Sequence, residues 1–338
     1  MVRPQNEQTI RRRLIGACLA GPLVFAGCAE LPGIPAQSVE SLMQEGQRLL
    51  QAGRHDEALA VFQKVAAIDP LYWQAYLGMA RCWIAKLSWP NAVASARKAY
   101  ELAPKGQDVV TVFADALLGG GREALTAGRY KDAIGLLFDY IKIQPTNGRA
   151  YLELGKALIA EKRFADALQT LMKGLGLASG ADRSDFLREL LDGGAQAFSA
   201  GQFRDAIGFF TEYVKLDPAR VRSYIDLAKS YLQSGAFGEA LSTLMRGLAQ
   251  ATGTERQEVL SGMLDAGRQA LTSGKAREAV GFLREYIRND RGNLQAYIDL
   301  GKAYWQSNER LNALDAFRRA LELDPRNSEA LNFLRGGR

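Results

Sequence analysis

The strongest constraint on this chain is a period. The lines GRYKDAIGLLFDYIKIQP, GQFRDAIGFFTEYVKLDP and GKAREAVGFLREYIRND begin at Gly128, Gly201 and Gly274, a spacing of 73 residues both times. A second set, RAYLELGKALIA, RSYIDLAKSYLQ and QAYIDLGKAYWQ, trails them at the same interval. A fixed period of this size marks an array of supersecondary units, each burying its apolar face only against its neighbours.

Each 73-residue block divides into two related units, and eight units start at residues 39, 73, 114, 148, 187, 221, 260 and 294. Position 8 is always small: Gly46, Ala80, Gly121, Gly155, Gly194, Ala228, Gly267 and Gly301. Position 20 is always alanine: Ala58, Ala92, Ala133, Ala167, Ala206, Ala240, Ala279 and Ala313. Small residues at both places let two helices approach closely. Pro70, Pro104, Pro145, Pro218 and Pro325 at position 32 end the second helix. Where Ser179, Thr252 and Arg291 stand instead, Gly180, Gly253 and Gly292 supply the stop. Position 15, in the turn, holds Gly53, Gly128, Gly201, Gly235, Gly274 or Asn308, residues that adopt a left-handed backbone. This pattern resembles the tetratricopeptide repeat (TPR), a helix-turn-helix unit of about 34 residues. The resemblance covers residues 39–325 and implies an all-α, right-handed superhelical solenoid of eight units in four pairs. It also implies peptide or protein recognition, on a concave face lined by the first (A) helix of each unit.

Odd and even units differ in bulk. In odd units position 27 is large (Tyr140, Tyr213, Tyr286) and positions 7 and 11 are small (Gly120 and Ala124, Gly193 and Ala197, Ala266 and Ala270). In even units position 11 is large (Trp83, Tyr231, Tyr304) and position 27 small (Ala99, Gly174, Gly247, Ala320). Large against small across the A/B contact would keep packed volume constant. The even-to-odd connections, at about 105–113, 180–186 and 253–259, are several residues longer and are expected to lengthen a helix. Residues 326–338 read as a C-terminal capping helix, since the last unit otherwise exposes its apolar face.

The N-terminus reads as a targeting segment. Arg11-Arg12-Arg13 precedes thirteen residues, Leu14 to Ala26, that are apolar apart from glycines and Pro22. A bilayer span needs about 20 apolar residues, so this has the size of a signal-peptide core. It ends in Phe25-Ala26-Gly27-Cys28, which resembles a bacterial lipobox, with Phe25 where that pattern prefers Leu, Val or Ile. The resemblance implies removal of residues 1–27, lipidation of Cys28, and a linker over 28–38 that contains Pro32 and Pro35. Ala29 in the second mature position implies the outer membrane, with the array facing the periplasm. An ordinary signal peptide cut nearby and an uncleaved anchor are the other readings, and Arg11-Arg12-Arg13-Leu14-Ile15 leaves both Sec and twin-arginine export open.

Composition excludes more than it assigns. The chain has 338 residues and a net charge of +6, of which Arg3, Arg11, Arg12 and Arg13 against Glu7 supply half, so nucleic acid is not an expected partner. One histidine, His55, falls at a turn, and no nucleophile lies near it in the array. No metal-ligand spacing occurs, so neither metal nor cofactor is expected. Gly119-Gly120-Gly121 lies inside an A helix and lacks the Lys-Ser or Lys-Thr of a phosphate loop. Cys82 reads as a small core residue. Pairs such as Glu153/Lys156 read as i,i+3 partners on solvated helix faces. The chain is therefore read as a binding scaffold and not an enzyme, with no small-molecule substrate.

The candidate surface is the A-helix face. Position 5 is apolar in every unit and includes Leu152, Ile225 and Ile298; position 12 is apolar likewise and includes Ile159, Leu232 and Trp305. Position 9 of the even units forms a row of cations, Arg81, Lys156, Lys229 and Lys302. Either the columns are apolar strips of a groove suited to an amphipathic or acidic segment, or neighbouring A helices cover them and they are core. The functional expectation is a membrane-anchored scaffold that organises a bacterial envelope machine, such as a pilus, a secretin, an outer-membrane complex or an exopolysaccharide export channel. An adaptor that recruits peptidoglycan-modifying enzymes is the alternative, and homo-oligomerisation through the terminal units is a third reading.

Overall fold

The computed structural model describes residues 38–336. The signal-type segment, the lipobox with Cys28, and the linker up to residue 37 lie outside the described residues. The described residues form seventeen helices and no strand. Units 1 and 2 are α1 (Val39–Gln51) with α2 (His55–Ile68) and α3 (Trp73–Ala85) with α4 (Trp89–Leu102). Units 3 and 4 are α5 (Gln107–Thr126) with α6 (Tyr130–Ile143) and α7 (Gly148–Ala160) with α8 (Phe164–Leu177). Units 5 and 6 are α9 (Gly180–Ser199) with α10 (Phe203–Leu216) and α11 (Val221–Gln233) with α12 (Phe237–Gln250). Units 7 and 8 are α13 (Gly253–Thr272) with α14 (Ala276–Asn289) and α15 (Leu294–Gln306) with α16 (Arg310–Leu323). A last helix, α17 (Ser328–Gly336), follows them. Each helix packs on the next in the chain, and each A helix also touches the A helix of the next unit, so the array is a solenoid with local contacts only.

The small positions do what close approach requires. A Cβ on Gly155 would stand 2.5 Å from Leu171 Cδ2, and one on Gly301 2.5 Å from Phe317 Cε1. These pairs join position 8 to position 24 within a unit. Every alanine at position 20 is fully buried. The turn between the helices needs a left-handed residue in all eight units. Glycine takes it in five, and Leu87, Lys162 and Asn308 take it with φ of 55°, 59° and 65°.

The long connections become helix. α5, α9 and α13 have 20 residues where the other A helices have 13, and the extra turns bury Val109, Val112, Phe113, Phe186 and Val259. Odd–even compensation is present, but with partners other than those expected. The small position 27 of even units faces the tyrosine at position 4 of its own unit, not the large residue at position 11. A Cβ on Gly174 would stand 2.6 Å from Tyr151 Cβ and 2.7 Å from Phe186, and one on Gly247 2.8 Å from Tyr224 Cβ. Those tyrosines then donate back to the proline carbonyl ending the previous unit, Tyr151 to Pro145 at 3.1 Å and Tyr224 to Pro218 at 3.2 Å. The large Tyr286 of an odd unit donates to Asp290 at 2.8 Å and accepts from Asn293 at 2.9 Å, so it ties α14 to the cap of α15.

At the C-terminal end α17 lies on α16. Phe333 stacks on Phe317 with ring centroids 4.5 Å apart and meets Trp305 edge-on at 5.7 Å. The apolar face of unit 8 is thereby covered.

Candidate functional site

The A-helix face separates into two layers. Leu152, Ile225, Ile298, Ile159 and Leu232 are buried, the first four at 4% exposure or less. They are core, because successive A helices lie against one another and close over them. Of the two readings, groove strip or core, these five residues follow the core one, while Leu118, Leu125, Leu191, Phe198 and Leu271 of the odd units are half-buried. Trp305 is half-buried, with the Arg310 guanidinium 3.6 Å from its ring centroid.

The cation row lies above this core and is tied to the following A helix. Arg81 meets Asp108 at 3.6 Å, Lys156 meets Glu189 at 3.9 Å, and Lys302 meets Glu329 at 2.7 Å. A reverse set runs from odd to even units: Arg122 to Glu153 and Arg268 to Asp299, both at 2.8 Å. The expected i,i+3 pair Glu153/Lys156 is not the contact made. Each of its members instead bonds to a neighbouring A helix, where a guanidinium or carboxylate stands closer. Asp299 is buried and also accepts from Gln295 at 3.0 Å. The exposed pair Arg81–Asp108 contributes little stability, about 0–1 kcal/mol, whereas Glu153, Glu189 and Asp299 are mostly buried in their pairs.

The ladder breaks around α11. Where units 3 and 7 carry Arg122 and Arg268 at position 9, unit 5 carries Ala195; where unit 5 carries Glu189 at position 3, unit 7 carries Gly262. Lys229 consequently has no ion pair within 4.0 Å among the described residues, unlike Arg81, Lys156 and Lys302. Asp226 is held only within its own helix, by Arg222 at 3.4 Å. Burial pushes the Asp226 carboxyl above the ordinary range, against the pull of Arg222 and Lys229. Burial likewise raises Glu189, opposed by Lys156.

Gly262 lines a cavity of about 230 Å³ between α9, α11 and α13. Phe198, Ile225, Leu232 and Leu244 wall it, and Lys229, Gln233, Asp265 and Gln269 supply polar groups. At Gly262 an added Cβ would meet nothing closer than Leu244 at 3.8 Å, so the glycine is not there to relieve crowding. The pocket is walled by apolar side chains and carries one ammonium, Lys229, and one carboxylate, Asp265. Three of the residues singled out in the sequence, Ile225, Lys229 and Leu232, converge here. Ala195 and Gly262 were not singled out, although comparing one position across odd units exposes both.

The remaining chemistry is sparse. Among the described residues no group of three or more His, Cys, Asp or Glu side chains is placed to hold a metal, and no helix is long and apolar enough to cross a membrane. Cys82 is fully buried, and desolvation pushes its thiol up to about 11. Gly119 lies inside α5 against Trp89, which leaves no room for a phosphate at that glycine.

A tetratricopeptide repeat family model matches residues 49–86, 124–181 and 197–261, and a second matches 294–327. The chain belongs to the tetratricopeptide repeat family. It is similar to the TPR repeat-containing protein YpiA of Bacillus subtilis (strain 168), with 26% identity over 269 residues, 79% of this chain and 59% of that protein. It is also similar to anaphase-promoting complex subunit 7 of Homo sapiens, with 23% identity over 195 residues, 57% of this chain and 32% of that protein. The chain thus matches less than two thirds of the length of either relative. Among solved structures, a tetratricopeptide repeat protein from Parabacteroides merdae aligns with 89% of this chain and 98% of its own at 14% identity, with a TM-score of 0.35. Tetratricopeptide repeats are suited to protein–protein interaction.

Proposed function

We propose that the chain is a membrane-anchored scaffold that holds proteins of a bacterial envelope complex on its A-helix face, without catalysing a reaction. The observation that carries the binding half is the break in the ion-pair ladder at Lys229. The fold neutralises its other position-9 cations, and it leaves this one beside an apolar cavity of about 230 Å³. The anchoring half rests on the sequence Phe25-Ala26-Gly27-Cys28. A diacylglycerol on Cys28 holds strongly because each buried CH₂ contributes about 0.8 kcal/mol. The ten or so residues that follow span at most about 35 Å, so the array would work close to the membrane, at the periplasmic side of the outer membrane.

The binding half is tested by refilling the cavity. Gly262→Glu restores the residue type that unit 5 carries as Glu189 and gives Lys229 a carboxylate. Pull-down of the full-length protein from its own cells, followed by mass spectrometry, should recover envelope-complex subunits with the wild type and lose them with Gly262→Glu and with Lys229→Glu. The same proteins recovered with all three chains would remove this pocket as the site. Mass spectrometry of the mature N-terminus tests the anchor: a Cys28→Ser chain still processed and still membrane-bound would overturn lipidation at that residue.

A further inference from the structure

The opposite face, built from the second (B) helices, carries a second departure from periodicity. At the junction of units 4 and 5, Leu168 covers Gly208 at 3.0 Å from where a Cβ would stand, and Leu241 covers Gly281 equally at the junction of units 6 and 7. At the junction of units 2 and 3 the same place holds Val93, one methylene shorter, which turns toward Gly120. Nothing then lies within 4 Å of the equivalent glycine, Gly135. The helices agree: α8 and α10 touch, as do α12 and α14, while α4 and α6 stand further apart. A cleft of about 540 Å³ opens between α4 and α6, and one of about 440 Å³ lies beside it between α6 and α8. Phe138 lines both and is 51% exposed. Units 5 and 7 hold Thr211 and Arg284 at that position, so the fold makes no demand for an aromatic there.

Charge selects the occupant. The rim carboxylates already have cations: Asp139 meets Arg97 at 3.3 Å, Asp166 meets Arg163 at 2.7 Å, and Arg129 serves both Glu123 at 2.5 Å and Asp132 at 3.7 Å. Lys131 in the first lobe and Lys173 in the second have no ion pair among the described residues. Each lobe therefore offers an apolar floor beside an ammonium without an ion pair, and across the two lobes cations outnumber carboxylates. We propose that this cleft docks an acidic amphipathic helix of a partner protein, with apolar side chains seated on either side of Phe138 and carboxylates meeting Lys131 and Lys173.

The test uses the full chain and a fluorescein-labelled synthetic peptide of eighteen residues or so, helical, with leucines on one face and glutamates on the other. A control peptide carries lysine for glutamate. Fluorescence anisotropy should show binding of the glutamate peptide and at least tenfold weaker binding of the control. Phe138→Thr and Val93→Leu each copy a residue that a sister unit carries at the same place, so both should fold, as circular dichroism will verify. Each should weaken the glutamate peptide at least tenfold, as should Lys131→Glu combined with Lys173→Glu. No binding of the glutamate peptide, equal binding of the control, or affinity untouched by Phe138→Thr overturns the proposal. So does a dimer that Phe138→Thr dissolves, which would make a second copy of this chain the occupant.

Discussion

Phe62 is held between two helices by two glycines, and that contact can be weighed. The ring is fully buried, and Cβ atoms added at Gly46 and at Gly78 would each stand 2.6 Å from it, on opposite sides. Phe62→Ala alone should cost about 3–5 kcal/mol, the usual range for removing a buried ring. Gly46→Ala alone drives a methyl into the ring, an overpacking cost of about 1–3 kcal/mol. About 1 kcal/mol of helix propensity offsets it, which leaves a loss of about 0–2 kcal/mol. In the double variant the clash has gone, the propensity gain remains, and the new methyl fills part of the hole for about 0.8 kcal/mol. Its loss should therefore be about 1–3 kcal/mol, against about 3–7 for the two single losses summed. The double variant has the residue pair that unit 2 uses, Ala80 with Ala96. Urea unfolding followed by circular dichroism gives the cycle, and hydrogen exchange in α1 to α3 localises it, since a solenoid opens unit by unit. Additivity to within about 0.5 kcal/mol would refute the claim that glycine at position 8 is matched to the ring at position 24.

Other outcomes follow from single features. Lys162→Gly and Leu87→Gly should each stabilise by about 0.5–1 kcal/mol in a urea titration, because an L-residue in the left-handed region costs about 1–2 kcal/mol and glycine gives some of that back in the unfolded chain; a loss at both would contradict the backbone account. The Cys82 thiol, buried and pushed up to about 11, should resist a thiol reagent at pH 8 in the folded chain and react when units 1 to 3 open, so labelling in water as fast as in urea would show that the site is not closed. Removing residues 328–338 should strip the stacked Phe333 from Phe317 and leave α15 and α16 with unprotected amides, read by hydrogen exchange; unchanged protection would mean α17 is dispensable. Burial raises the Glu189 carboxyl in the folded chain, so the folded state holds that proton more tightly and stability falls as pH climbs from the ordinary glutamate range through the raised value. Glu189→Gln lacks this fall and should gain on the wild type across that window, and the opposite slope would show that Lys156 outweighs desolvation.

What could be read in advance divides by the distance over which it is decided. Positions 8 and 20 are decided within one unit, where two helices a few residues apart either fit or do not, and there the residue types carry the answer. The long A helices α5, α9 and α13 were foreseen as lengthened connections for the same reason. The burial of Leu152, Ile225 and Ile298 depends on how one A helix leans on the next, and no pattern inside a unit states that angle. The ion pairs failed similarly: Glu153 lies three residues from Lys156, yet it bonds to Arg122, 31 residues away. Local spacing proposed a partner, and the solenoid brought a better one. The bulk alternation was visible as a pattern, but its physical partners, Tyr151 against Gly174 and Tyr224 against Gly247, needed the structure.

A periodic fold supplies its own control for reading function. Equivalent positions face nearly equivalent surroundings, so a departure in one unit calls for a local cause. Gly119 replaces the aspartates that units 5 and 7 carry as Asp192 and Asp265, and its cause is packing: the ring of Trp89 lies where a side chain would begin. Gly262 replaces Glu189 with no such cause, since 3.8 Å separates its Cβ position from the nearest atom. The first departure is absorbed by the core. The second leaves a cavity and a lysine without an ion pair within 4.0 Å among the described residues, which costs the isolated chain contact area. The fold could close that gap with the residue already present one pair earlier, and packing does not account for its absence.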